Sequence, residues 1–189
     1  MTIDPVELHR RAVDEFDRRV DAIADNQWGL PTPCADWDVR ALVHHLVYEN
    51  VWTPPMTEGQ TIEQVGDRFE GDLLGGDPKA AWRDAADQAS QAVARPGAMG
   101  GTVHLSFGDF SGEGYAMQLT TDLTVHAWDL ARGIGADDRL DPELVEACYQ
   151  AALPMEPMLR QSGMFGDKVE VGDDAGTQAR LLGMMGRTP

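Results

Sequence analysis

Within TTDLTVHAWDL, residues 120–130, Asp122 and His126 stand four residues apart. A helix turns 100° per residue, which puts Tyr115, Leu119, Asp122, Leu123, His126 and Leu130 within roughly a 100° arc. A carboxylate and an imidazole then share a face with leucines and a tyrosine. An unpaired carboxylate on an apolar face is strongly destabilising. Two arrangements relieve it. The pair can hydrogen-bond to each other, or both can ligate one divalent cation from adjacent helical turns, as paired ligands do in helical metal motifs. Spacing alone does not choose between them.

A third ligand from another helix would decide for the cation. His44 and His45 are adjacent on a second helical stretch and flank its apolar stripe on opposite sides, so periodicity favours neither. His9 lies on the stripe of the first helix and reads as a bundle-end residue with a local hydrogen bond. His104 alternates against apolar neighbours and reads as exposed. Cys34, just before the second helix, reads as a packed or loop cysteine, with metal ligation or reactivity as the alternative. Trp37, Trp52 and Trp128 are candidates for a pocket wall as well as for packing. Arg40 and Arg132 are candidate carboxylate clamps or plain surface arginines, and Asp129 a candidate outer partner for a ligating histidine.

The elements that must position these residues follow from caps and periodicity. Asp4 before Pro5 opens a helix to about Asp25, whose stripe is Val6, His9, Val13, Phe16, Val20 and Ile23. A second helix starts near residues 36–38 and reaches about Asn50, with Val39, Leu42, Val43, Leu46 and Val47 facing inward. TPPMTEGQ is expected to end it. A short helical piece is expected over residues 62–69. The third long helix runs from Pro78, behind Asp77, to about Ala94. TVHLSFGDF alternates with period two and predicts a strand or extended loop. The fourth long helix covers about Gly114–Arg132, ended by Gly133 and Gly135. A further helix opens at Pro142 and breaks near Pro154, and a last one covers about Ala175–Met185. Four long helices with shorter pieces and at most a small β element make an all-α bundle, and 189 residues suit a single domain over 1–189.

Composition narrows the partners. A net charge of −17 opposes phosphate-backbone binding, so no nucleic acid is expected. There is no apolar run long enough for a membrane span and no basic-then-apolar start of a secretory signal. Two cysteines, Cys34 and Cys148, fit reduced thiols in a cytoplasmic protein better than a disulfide framework. A monomer or a homodimer is compatible with the pattern.

WDVRALVHHL (residues 37–46) resembles the W-x-V-R-x-L-x-x-H-L signature of the DinB and mycothiol-dependent maleylpyruvate isomerase superfamily. DLTVHAWDLARGIG is similar to its second signature, in which a carboxylate and a histidine four residues apart complete a metal site. PTPCADW, VGDRFEGDLLGGDP, TVHLSFGDF and LLGMMGR are similar to stretches of an actinobacterial metal-binding subgroup, so the resemblance runs over nearly the whole chain. It implies an up-down-down-up four-helix bundle. It also implies a metal site of His45, the histidine followed by Leu46, with Asp122 and His126. Zinc suits these ligands best, and nickel and iron also fit. Characterised members usually carry glutamate where this chain has Asp122, so the ion must sit nearer that helix or the coordination must change. They also carry a C-terminal domain that this chain is expected to lack. The implied activity is a mycothiol-type transferase or isomerase joining a small-molecule thiol to an electrophilic substrate. A non-enzymatic metal-binding or stress-response protein is the alternative.

Overall fold

A computed structural model describes residues 3–157, 166–172 and 174–189. In chain order the elements are α1 (Pro5–Ala22), α2 (Val39–Thr57), the short α3 (Ile62–Val65) and α4 (Pro78–Ala94). A two-stranded hairpin follows, β1 (Thr102–Leu105) and β2 (Gly108–Ser111), then α5 (Gly112–Ile134), α6 (Pro142–Ala152) and a last helix, α7 (Thr177–Met184).

Four long helices, α1, α2, α4 and α5, form the bundle, with α1 against α5 and α2 against α4. Contacts at their ends give the directions. Trp82 Nε1 donates to Asp17 at 2.9 Å and Arg83 pairs with Asp21 at 2.7 Å, so α4 begins where α1 ends. Arg95 meets Glu58 at 2.7 Å, so α2 and α4 finish together. Gln27 Nε2 donates to the Ile134 carbonyl at 2.9 Å, so α1 and α5 finish together at the other end. This is the up-down-down-up order, and the long α2–α4 connection makes the parallel middle pair feasible.

The starts match the cap signals. Asp4, Asp38, Asp77 and Asp141 each accept a backbone N–H at the head of a helix, and Pro5, Pro78 and Pro142 fill first helical positions. α6 gives way to a 3₁₀ turn at Leu153–Met155, at the predicted proline. α5 starts two residues earlier than the spacing predicts. Its first residue, Gly112, passes so close to the preceding turn that a Cβ there would lie 1.9 Å from the Ala98 carbonyl oxygen.

Other expectations differ: α3 stops at Val65 and does not reach residue 69, and Gly133 lies inside α5, which Gly135 ends. α2 continues to Thr57 through Pro54 and Pro55 instead of stopping near Asn50. Proline φ is helical, and the carbonyls of Thr53 and Pro54 take the Thr57 hydroxyl at 2.9 and 3.0 Å. Burial of Met56 in an apolar cluster with Val65, Val103, Tyr115 and Leu119 holds this end down. On α1 the buried face is Leu8, His9, Ala12, Glu15, Phe16, Arg19 and Val20, so Val6 and Val13 lie only at its edge. The Glu15–Arg19 ion pair, 2.5 Å, makes that shift possible, with Arg19 also donating to the carbonyls of Asp137 and Arg139.

The larger cluster contains Phe16, Leu42, Leu46, Trp82, Leu130 and Leu144. Along α5, Leu119 belongs to the smaller cluster and Leu123 to the larger. Asp122 lies between these two residues along α5.

Candidate metal centre

His45 on α2 and Asp122 and His126 on α5 converge. His45 Nε2 lies 3.1 Å from Asp122 Oδ2, and His126 Nε2 lies 3.3 Å from Asp122 Oδ1. One donor atom from each residue falls within 4.8 Å of the others. His126 is nearly buried, while His45 and Asp122 keep about a quarter of their side chains exposed (25% and 26%). The site is therefore closed on the core side and open on the α2 side.

Electrostatics bind the three together. Burial alone would raise the Asp122 carboxyl, but His126 and His45 outweigh it and hold it well below the usual carboxylate range. Burial would lower the His126 imidazole, but Asp122, Asp129 and Cys34 push it well above its ordinary value.

Behind His126 lies a second polar layer. His126 Nδ1 is 2.9 Å from Asp129 Oδ2, and Asp129 is wholly buried. Burial would raise Asp129, but His126 and Arg187 hold it below its ordinary value, so it stays a carboxylate and can only accept. Nδ1–H therefore donates to Asp129 and leaves Nε2 facing Asp122. Arg187 reaches Asp129 Oδ2 at 2.8 Å, and the Cys34 thiol donates to the same oxygen at 3.1 Å.

The donor set fits a divalent cation. Zinc bonds of about 2.1 Å in tetrahedral geometry separate donors by about 3.4 Å, and each histidine lies 3.1 or 3.3 Å from its nearer Asp122 oxygen. Three donors leave a fourth position. Cys34, His126 and Asp129 form a second set of potential donors within 4.8 Å. There the Arg187 guanidinium, 3.2 Å from Cys34 Sγ, already supplies the positive charge, which opposes a cation.

The open side meets a surface groove of about 480 Å³ lined by Trp37, Asp38, Arg40, Ala41, His44, His45 and Tyr48. Trp37 walls it, its ring centroid 4.8 Å from that of His45 and 5.7 Å from that of His126. Glu49 is one turn beyond His45 on α2. Its carboxyl is raised to about 6, by burial first and by Asp122 second.

Other sequence candidates separate from the centre. His44 turns to the 71–73 loop, with Nε2 2.9 Å from the Gly71 carbonyl. His9 is buried, and its Nε2 has no hydrogen-bond partner among the described residues, contrary to the expected local bond. His104 pairs with Asp109 across the hairpin at 2.8 Å. Trp128 is buried in the larger cluster beneath Arg132, and Trp52 packs on Phe69, so neither walls the groove. Arg40 lines the groove but is already paired with Asp72. Sequence reasoning missed Glu49 and Arg187. The four-residue step from His45 to Glu49 was a usable signal, and Arg187 closes the LLGMMGR stretch already noted for its resemblance.

The chain's relatives agree with this architecture. Residues 9–131 match the family described as the mycothiol maleylpyruvate isomerase N-terminal domain. Over 193 aligned residues, covering 98% of this chain and 99% of each relative, it is 33% identical to uncharacterized proteins of Mycobacterium tuberculosis strains CDC 1551 / Oshkosh and ATCC 25618 / H37Rv. The crystal structure of the mycothiol-dependent maleylpyruvate isomerase shares the fold, with a TM-score of 0.67 at 14% identity over 91% of this chain and 76% of that one. A histidine-to-alanine mutant of that enzyme gives 0.66 at 12% identity, with the same shares of each chain covered. No described helix is long and apolar enough to cross a membrane. With its helical bundle and a match over residues 9–131, the chain belongs to the mycothiol maleylpyruvate isomerase N-terminal domain family, within the DinB-like superfamily.

Proposed function

We propose that His45 Nε2, a carboxylate oxygen of Asp122 and His126 Nε2 hold one divalent cation, zinc by preference, and that the protein is a mycothiol-type thiol transferase or isomerase. The observation that carries this reading is the convergence of the three side chains beside an open groove. When bound, such an ion supplies Lewis acidity that lowers the pKa of a low-molecular-weight thiol.

The chain's own residues supply the rest. The groove along α2 offers the thiol and its electrophile an approach past His45, with the Trp37 ring excluding water from one side. Asp129 accepts from His126 Nδ1–H, so Nε2 is the nitrogen that would give up its proton to bind a cation. Glu49, one turn beyond His45 on α2 and coupled electrostatically to Asp122, is the carboxylate assigned to accept the thiol's proton. With 32 acidic against 15 basic residues, its expected partners are small molecules and not nucleic acid.

The test is elemental analysis of protein purified without an affinity tag, followed by thermal melts with mycothiol. About one zinc per chain and a rise in melting temperature with mycothiol are expected. One metal per chain with no response to mycothiol would leave a non-enzymatic metal-binding protein. No metal in a folded chain would remove the centre altogether.

A further inference from the structure

We infer that Arg187, near the C-terminus, is a positioning residue for the proposed metal centre: its guanidinium fork fixes the Asp129 carboxylate, which in turn fixes the His126 ring. The inference rests on the metal reading for its consequence, though not for its geometry.

The residues after α7 turn back into the bundle. Gly186 takes φ +77°, and a Cβ there would lie 2.8 Å from the backbone of Gly166, so this turn requires glycine. Met184 and Met185 are buried just before it. The Arg187 backbone N–H then donates to the Leu182 carbonyl at 2.9 Å, which docks the segment onto the end of α7. From that anchor the side chain enters the bundle and is 12% exposed.

Every guanidinium nitrogen has a partner. Nη1 donates to the Met185 carbonyl at 2.7 Å and holds the fork in plane. Nε lies 3.2 Å from Asp129 Oδ1, and Nη2 lies 2.8 Å from Oδ2. Nη2 also lies 3.2 Å from Cys34 Sγ. Two roughly parallel bonds to one carboxylate fix its plane as well as its charge. That plane aims Oδ2 at His126 Nδ1, 2.9 Å away. Without this fork the wholly buried carboxylate keeps, among the described residues, only the Cys34 thiol and the His126 imidazole as partners, both on Oδ2, and nothing there fixes its plane. The Nδ1–H of His126 would then lose its fixed acceptor, and the ring its fixed orientation toward Asp122. The relay runs from Arg187 through Asp129 and His126 to Asp122 and links three parts of the chain.

Two readouts on Arg187→Gln and Arg187→Lys test this. The first is zinc affinity by competition with a chromophoric chelator. The second, on metal-free protein, is the exchange rate of the His126 Nδ1–H proton by nitrogen-15 NMR, assigned with His126→Gln. In wild type this proton is expected to be exchange-protected. Arg187→Gln is expected to lose that protection and to weaken zinc binding about 10- to 100-fold, as loss of an outer-shell partner does. Arg187→Lys, with the charge but no fork, is expected to fall between. A folded Arg187→Gln protein with wild-type protection overturns the inference, even with a lowered melting temperature, because Arg187 would then only brace the tail. If wild type binds no zinc, the metal reading fails, and the NMR result still judges Arg187 by the same criterion. If Arg187→Gln does not fold, Arg187→Lys decides, and protection equal to wild type overturns the inference.

Discussion

His45 Nε2 and Asp122 Oδ2, carried by different helices and 77 residues apart in sequence, lie 3.1 Å apart. This contact joins the α5 pair to α2 and turns two neighbouring side chains into a three-donor centre.

Asp122 touches both histidines, so it is the residue whose loss should hurt most. Asp122→Asn keeps the shape and removes the charge. Zinc affinity by chelator competition is expected to drop by at least about 100-fold, since even outer-shell partners are worth about 10- to 100-fold. An affinity within a few-fold of wild type would sink the assignment.

Glu49 is raised to about 6 by burial and by Asp122. A carboxyl raised in the folded state contributes stability that is present below its unfolded value and lost as pH rises through the folded one. At pH 7 the ionised carboxylate therefore costs metal-free protein about 2 kcal/mol. Glu49→Gln should recover about that much at pH 7 and nothing at pH 4, measured by urea midpoints. The gain should shrink with zinc bound, because the cation favours the carboxylate.

His9 is 1% exposed, and burial lowers its imidazole to about 4. The unfolded chain protonates it near 6.5 while the folded one resists, so stability is unaffected above that value and falls as pH drops toward 4. Between pH 7 and pH 5 the loss from this residue is about 2 kcal/mol. His9→Leu should abolish that part of the acid sensitivity, read as the difference between the two variants' urea midpoints at each pH. Parallel curves for the two would refute it.

Gly112 has no room for a side chain, with the Ala98 carbonyl oxygen 1.9 Å from a Cβ built there. Gly112→Ala is expected to cost about 2 kcal/mol or more, since the clash is with backbone. Gly29→Ala, where nothing lies within 4 Å, should be neutral or slightly stabilising, and is the control.

Local chemistry made most helix starts legible. Asp4, Asp38, Asp77 and Asp141 announce four starts because a cap acts over two or three residues. The end of α2 was not legible: Pro54 and Pro55 weaken a helix locally, but burial of Met56 carries it on. The α1 stripe was read by hydropathy alone, which rejects Glu15 and Arg19. Paired with each other, they belong to the buried face. Glu49 and Arg187 escaped notice because a lone acidic or basic residue is normally a solvated one.

The sequence by itself determined the four long helices, the caps of α1, α2 and α4 and the inward turn of Asp122 and His126, because capping and a 100° step are properties of neighbours along the chain. His44 and His45 flank the α2 stripe symmetrically, and only the packing of α2 against α5 turned His45 toward Asp122 and left His44 to the 71–73 loop. Tertiary structure likewise brought Arg187 to Asp129, 58 residues away, since no local rule records where a chain end returns to the bundle.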